Sequence, residues 1–394
     1  MTELDVTRTL NINDLPFPQD RTRAWRELRE AGEAVGSGEE VVLTSAAAVE
    51  FAAKKPETFS SARAFDRLGS PVPLIPIAID PPDHTRFRRI LDPFFSPRRM
   101  AEREPELRRQ AGELIDAIVA KGGQCDLMPT LATPFPTQVF LTLFGLPMAD
   151  RDRLVRWKDA ILQFTDPSSA EATPEVMAHA LELFTYLTEH IATRRTDPSG
   201  SDMLSQLMQQ DGEDGALTDN EILGVCFMFV LAGLDTVTSA TGFALAKLAG
   251  DADLRQRIAG DFSLIPAFIE DILRVDGPVP FAPRVTTEEV EIAGRVMPKG
   301  TTVMLSYGSA NRDPSRYQDA DSVHLDTKSV HFAFGRGPHR CLGSHLARLE
   351  LRLILEEWHK RIPEYKFVDG KLPQLPWPAG TLGFLSVPLD ITPM

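Results

Sequence analysis

Apolar residues recur at three- and four-residue intervals along most of the chain. The stretches RAWRELREAG, RRMAEREPELRRQAGELIDAIVAKG, EVMAHALELFTYLTEHIATRR and LGSHLARLELRLILEEWHKRI all carry this spacing. It predicts amphipathic helices, each burying one face. Strand-like runs are short and grouped, at EEVVLT, at EVEIAGRVMPKGTTVMLSY and at TLGFLSVPLDI. The expected class is mainly α with small β-sheets. One helix stands apart. Thr218 and Glu221 make a capping box, and the helical pattern then runs to about Gly250. At 1.5 Å per residue it is about 46 Å long, enough to cross the whole molecule.

From Ile222 to Ala246 the only charge in that helix is Asp235. A bilayer could be crossed by such a run, but an acid near its middle costs roughly 2.5–3.5 kcal/mol on insertion scales, and no basic flank sets an orientation. A buried central helix of a large globular protein fits better. Pro and Gly are scattered through loops without gathering into a linker, so all 394 residues are expected to form one domain. Forty-two basic against fifty-six acidic side chains give a net charge of −14, which argues against nucleic acid or an anionic membrane as partner. The amino terminus has no basic start and no apolar signal core, and three widely spaced cysteines cannot make a disulfide framework. A cytoplasmic monomer is the expectation.

The chemistry is densest at FGRGPHRCLG, residues 334–343. Cys341 is expected to begin a helix whose apolar stripe is Leu342, Leu346, Leu349 and Leu353. Its sulfur would then meet the positive end of a helix, which favours a thiolate. Gly337 and Gly343 remove side chains on either side, and Phe334 supplies apolar cover. The spacing F-x-x-G-x-x-x-C-x-G therefore reads as a pocket for one anionic sulfur ligand under a flat cofactor. Two other readings stand beside it: a buried structural cysteine, and a small metal site using His339, Cys341 and His345.

Three stretches together, FGRGPHRCLG, AGLDT at 232–236 and DPPDHTRFRR at 80–89, resemble signatures of the haem-thiolate monooxygenases, the cytochrome P-450 family. Their order and separation agree from about residue 15 to the end. The resemblance implies the family's fold, with the long helix lying over haem b, and makes Cys341 the axial ligand of the iron. A thiolate there pushes electron density toward the metal and favours O–O cleavage. Oxygen activation consumes two protons. The resemblance makes Thr236 the group that hydrogen-bonds the oxygen being activated and Asp235 the relay from solvent. Ala232 and Gly233 are small enough for haem and oxygen to lie against the helix. His84 and Arg88, four apart on one helical face, together with Arg284 and His339, match the family's clamp on the haem propionates. Phe334, Gly337 and Gly343 complete the cofactor set.

The family usually carries Glu-x-x-Arg in a late helix, joined by a second Arg from a following loop. Here the positions read Asp271-x-x-Arg274, and Ser322 stands where the second Arg would be. Glu270, four residues before Arg274, is expected to pair with it instead.

No dinucleotide-binding glycine motif follows a strand, so electrons are expected from a ferredoxin-type donor served by an NAD(P)H-dependent reductase. Arg336, Arg340, Arg348 and Arg352, with Arg98 and Arg99, suggest a basic patch that steers an acidic carrier. Family alignment puts the substrate walls at Val72, Leu74, Ile75, Phe227, Phe229, Phe281, Thr381 and Leu382. Nearly all are apolar, which implies a hydrophobic small molecule oxidised with O2. A haem-thiolate sensor and a peroxide-using haem enzyme are the rival functions. Neither needs the Asp235–Thr236 pair.

Overall fold

The computed structural model describes residues 9–393 except 66–69, 71, 165–172, 198, 211–214, 326–329 and 369. Its helices are α1 (Arg21–Glu30), α2 (Ala46–Ala53), α3 (Asp83–Leu91), α4 (Pro97–Lys121), α5 (Pro134–Phe144), α6 (Arg151–Phe164), α7 (Pro174–Thr196), α8 (Met203–Met208), α9 (Asp219–Ala249), α10 (Ala252–Gly260), α11 (Ile265–Val275), α12 (Tyr307–Ala310) and α13 (Ser344–Arg361). The strands are β1 (Ala34–Ser37), β2 (Glu40–Leu43), β3 (Phe59–Ser60), β4 (Gln124–Asp126), β5 (Phe281–Thr286), β6 (Val290–Ile292), β7 (Arg295–Met297), β8 (Thr302–Ser306), β9 (Glu364–Phe367) and β10 (Pro388–Thr392). They form a five-stranded sheet in the order β1-β2-β8-β5-β3, a three-stranded sheet β4-β10-β9 and the hairpin β6-β7. All pairings are antiparallel except β2 with β8.

The centre belongs to α9. Its capping box is present: Thr218 Oγ1 accepts from the Glu221 N–H at 3.2 Å, and Glu221 Oε2 accepts from the Thr218 N–H at 2.7 Å. Helices α5, α6, α7, α10, α11 and α13 pack around it, which explains how a sequence apolar on every side is buried without a bilayer. Helix α13 lies along α4, and their shared rim is laced with charge. Arg108 pairs with Glu104, Glu356 and Glu357, while Arg352 pairs with Glu104 and Glu356.

Of the expected strand TLGFLSVPLDI only its end, β10, is a strand. The Leu382 N–H donates to Pro278 O at 2.8 Å, and Gly383 lies so close under Ser239 of α9 that a Cβ would collide with it. Tertiary packing holds this segment against the helix and away from a sheet.

Candidate active site

The sulfur loop folds back on itself. The Cys341 N–H donates to Phe334 O at 2.7 Å, and the Gly335 N–H donates to Phe332 O at 2.7 Å. Gly337 has φ +68°, and a Cβ there would strike the Ala53 carbonyl at the end of α2, so glycine is required twice over. Helix α13 starts at Ser344, which corrects the expectation that Cys341 begins it: Gly343 is the N-cap, and the sulfur stands three residues before the helix. Gly343 has φ −81° and ψ 11°, outside the helical region, and its N–H turns to the sulfur. Burial pushes the Cys341 thiol up, while the Gly343 N–H and the charges of Arg88, Arg348 and Arg340 pull it down. Protein encloses this cysteine, yet its own surface is open, as at the wall of an interior cleft. A Cβ built on Gly343 would meet nothing within 4 Å. His345 is exposed on α13, and no cluster of three His, Cys, Asp or Glu suited to a metal exists among the described residues. The three-ligand metal reading is therefore set aside.

Beside the sulfur lies a cationic cradle. The rings of His84 (α3) and His339 (sulfur loop) stand 4.2 Å apart, and the Nε2 of each is buried without a partner. Burial and the neighbouring cations Arg284 and Arg88 hold His339 down to about 3, and burial with Arg88 lowers His84. Arg284, buried on β5, donates to Pro283 O at 2.7 Å and also bonds the buried Tyr307 phenol. Arg88 donates to Arg340 O at 2.6 Å and pairs with Asp92 at 2.8 Å. Buried imidazole nitrogens facing cations, with nothing to accept from them, fit a ligand that brings its own carboxylates. Haem has two. The four residues expected as its clamp are thus brought together, and Tyr307, which no sequence pattern marks, joins them.

On α9 the surface opens at mid-helix. Ala232 and Gly233 are exposed although Val230, Leu234 and Val237 around them are buried, and a Cβ on Gly233 would meet nothing within 4 Å. This leaves room for a flat group against the helix. Thr236 donates Oγ1–H to Ala232 O at 2.8 Å. Asp235 is 3.5 Å from Nζ of the buried Lys158 on α6, which pairs more closely with Asp159 at 2.6 Å. A lone lysine in an amphipathic helix gives no sequence sign of this contact.

The late-helix departure resolves differently from expectation. Arg274 is held in bidentate fashion by Asp271 at 2.6 and 3.0 Å, not by Glu270. The backbone carbonyls of Asn311, Ala320 and Ser322 take the remaining Arg274 hydrogens, and the Asp271 carboxylate accepts its further hydrogen bond from the His324 N–H at 2.6 Å, where a second arginine is the family's usual donor. Glu270 instead binds Arg348 and His331. The basic patch shrinks accordingly. Arg348 is neutralised by Glu270, Arg352 by Glu104 and Glu356, and Arg98 by Glu102. Arg336 and Arg340 are the loop cations without a carboxylate at ion-pair distance among the described residues.

Val72, Leu74 and Ile75 are buried in a loop seated on α9, where Gly224 admits the Pro73 carbonyl. Phe281 stands between Trp25 and Trp377, and Leu382 is buried with Thr381 half-buried beside it. The helix phenylalanines are elsewhere engaged. Phe227 stacks on Phe184 of α7 at 4.5 Å, and Phe229 lies between Phe95 and Phe144. At 100° per residue Phe227 points about 140° away from Ala232. Met228, one turn before Ala232, and Leu231, one turn before Asp235, are partly exposed there, as is Phe229, one turn before Gly233. Counting back by helical turns from AGLDT gives all three.

The family profile described as Cytochrome P-450 matches residues 32–358. The mycinamicin IV hydroxylase/epoxidase of Micromonospora griseorubida is 34% identical over 322 residues, 80% of this chain and 78% of that protein. The vitamin D(3) 25-hydroxylase of Pseudonocardia autotrophica is 34% identical over 334 residues, 83% of this chain and 80% of that one. Among solved structures, CYP109E1 from Bacillus megaterium in complex with testosterone superposes with a TM-score of 0.83 at 29% identity, covering 93% of this chain and 96% of that one.

Proposed function

Because the chain belongs to the cytochrome P-450 family of haem b monooxygenases, we propose that it hydroxylates an apolar small molecule as a single-domain enzyme, with electrons from a ferredoxin-type protein and its NAD(P)H-dependent reductase. Bound haem supplies the iron at which dioxygen is activated by two electrons. Cys341 is the group that would hold that iron, with His84, Arg88, Arg284, His339 and Tyr307 on the propionates. The observation that carries this reading is the open Cys341 sulfur beside two buried, unpartnered imidazole nitrogens.

Thr236 and Asp235 move protons on the opposite side. The Thr236 hydroxyl, already donating to Ala232 O, has its lone pairs free to accept, so it orders the donor of the proton. Asp235, tied only weakly to Lys158, can swing between that lysine and the site and so carry protons from solvent. Met228, Leu231, Val72, Leu74, Ile75, Phe281, Thr381 and Leu382 form the candidate wall, and their apolar character selects substrate by shape. One relative named for vitamin D(3) and a neighbour that holds testosterone support fused-ring apolar compounds as the class to try first. The test is a screen of such compounds against the ferric holoenzyme. A blue shift of the main haem band at micromolar concentration, as water leaves the iron, supports the reading. A protein that responds only to small polar molecules contradicts it.

A further inference from the structure

Two residues separated by 78 positions meet behind the sulfur loop. Arg348 of α13 donates from Nε and Nη2 to Glu270 Oε1 and Oε2 of α11 at 2.5 and 2.8 Å. His331, just before the loop, places Nε2 3.2 Å from the same Oε2. Arg348 then reaches both ends of the loop. Its Nη1 donates to Ser344 O at 3.2 Å, three residues beyond the cysteine. Its guanidinium carbon lies 4.3 Å from the centre of the Phe334 ring, a cation–π contact, and the Phe334 carbonyl accepts the Cys341 N–H. The Arg348 charge acts on the sulfur itself. Glu270 stays ionised, because Arg348 and His331 outweigh its burial and hold it at about 2. A fixed cation and a fixed anion therefore sit together behind the ligand atom.

We propose that Arg348 is a positioning residue for the sulfur loop and that the opposed charges of Arg348 and Glu270 set the reduction potential of the haem iron held by Cys341, an inference that rests on the haem-thiolate reading above. One-electron reduction by the redox partner adds a negative charge to the iron–sulfur unit. A nearby cation stabilises the reduced form and a nearby anion destabilises it. Both side chains are a little over a quarter exposed, at 28% and 29%, so solvent screens the pair only in part. Removing either partner uncovers the field of the other.

The experiment is a spectroelectrochemical titration of the purified holoenzyme and three variants. Arg348→Gln is expected to lower the potential and Glu270→Gln to raise it. Each should change the ferric–ferrous equilibrium roughly three- to tenfold, about 30–60 mV at 59 mV per tenfold for one electron. Arg348→Lys keeps the charge without the fork and should stay within about twofold of the parent, which serves if Arg348→Gln does not retain haem. A purely structural role would move the Gln variants in the same direction or neither, and either result overturns the inference. The ferrous–carbon monoxide spectrum of the parent separates the two levels. An imidazole-type band defeats the underlying haem-thiolate reading, whereas a thiolate band with unmoved potentials defeats this inference alone.

Discussion

Thr236 gives its hydroxyl hydrogen to Ala232 O, which leaves an oxygen that can only accept from the other side. Thr236→Ala removes that acceptor and deletes only the two atoms beyond Cβ, so substrate binding should survive. Product per electron consumed should fall by about tenfold or more, with hydrogen peroxide rising to match. Oxygen electrode and product assays read both, and unchanged coupling removes Thr236 from the mechanism. Residues in a tight motif are legible in sequence as candidates: the rings of His84 and His339 do meet, at 4.2 Å, whereas Cys341 stands three residues before the helix it was expected to begin. Lys158 and Tyr307 are not legible, because each reaches its partner from a distant element and neither interrupts a local pattern. The same holds for Glu270. Sequence spacing offers it Arg274, but Asp271 already holds that guanidinium in two places.

At the scale of elements, α11 and α13 bury ionisable groups with opposite consequences. Asp271 and Arg274 are both essentially inaccessible, so Asp271→Ala leaves a guanidinium uncompensated in the core. That should cost about 3–5 kcal/mol, read as a lower urea midpoint, and a loss under about 1 kcal/mol would contradict the account. On α13, Glu350 is buried with Oε2 unpartnered, and burial pushes its carboxyl well above the usual range. The folded state therefore holds a proton that the unfolded chain releases above about pH 4.3. Stability from this group is full below that value and falls as pH rises toward the folded value, at up to about 1.4 kcal/mol per pH unit. Glu350→Gln should flatten that fall relative to the parent between pH 5 and 8, and parallel curves would refute it. Helix α9 was readable from its cap and its uninterrupted apolar run. The sulfur-loop helix starts three residues later than its apolar stripe suggests, since the non-helical backbone angles of Gly343 leave no trace in hydrophobic periodicity.

For the whole molecule, composition gives the charge of −14 but not where carboxylates meet arginines. Among the described residues, folding neutralises most of the cations that cluster in sequence around the sulfur loop, leaving Arg336 and Arg340. Electrostatic steering of the ferredoxin-type donor proposed above is accordingly expected to be modest. The rate of reduction by a ferredoxin should fall only a few-fold between 50 and 500 mM salt, as stopped-flow mixing would show. A hundredfold fall would mean a far larger patch than the fold presents. All of this depends on one ligand, the sulfur of Cys341 on haem iron. The most direct measurement is the absorption spectrum of the reduced, carbon monoxide-bound holoprotein beside its Cys341→Ser variant. The expected result is the strongly red-shifted band of thiolate ligation in the parent and its loss in the variant. A band at the position typical of imidazole ligation in the parent, or one that survives the substitution, would contradict the account.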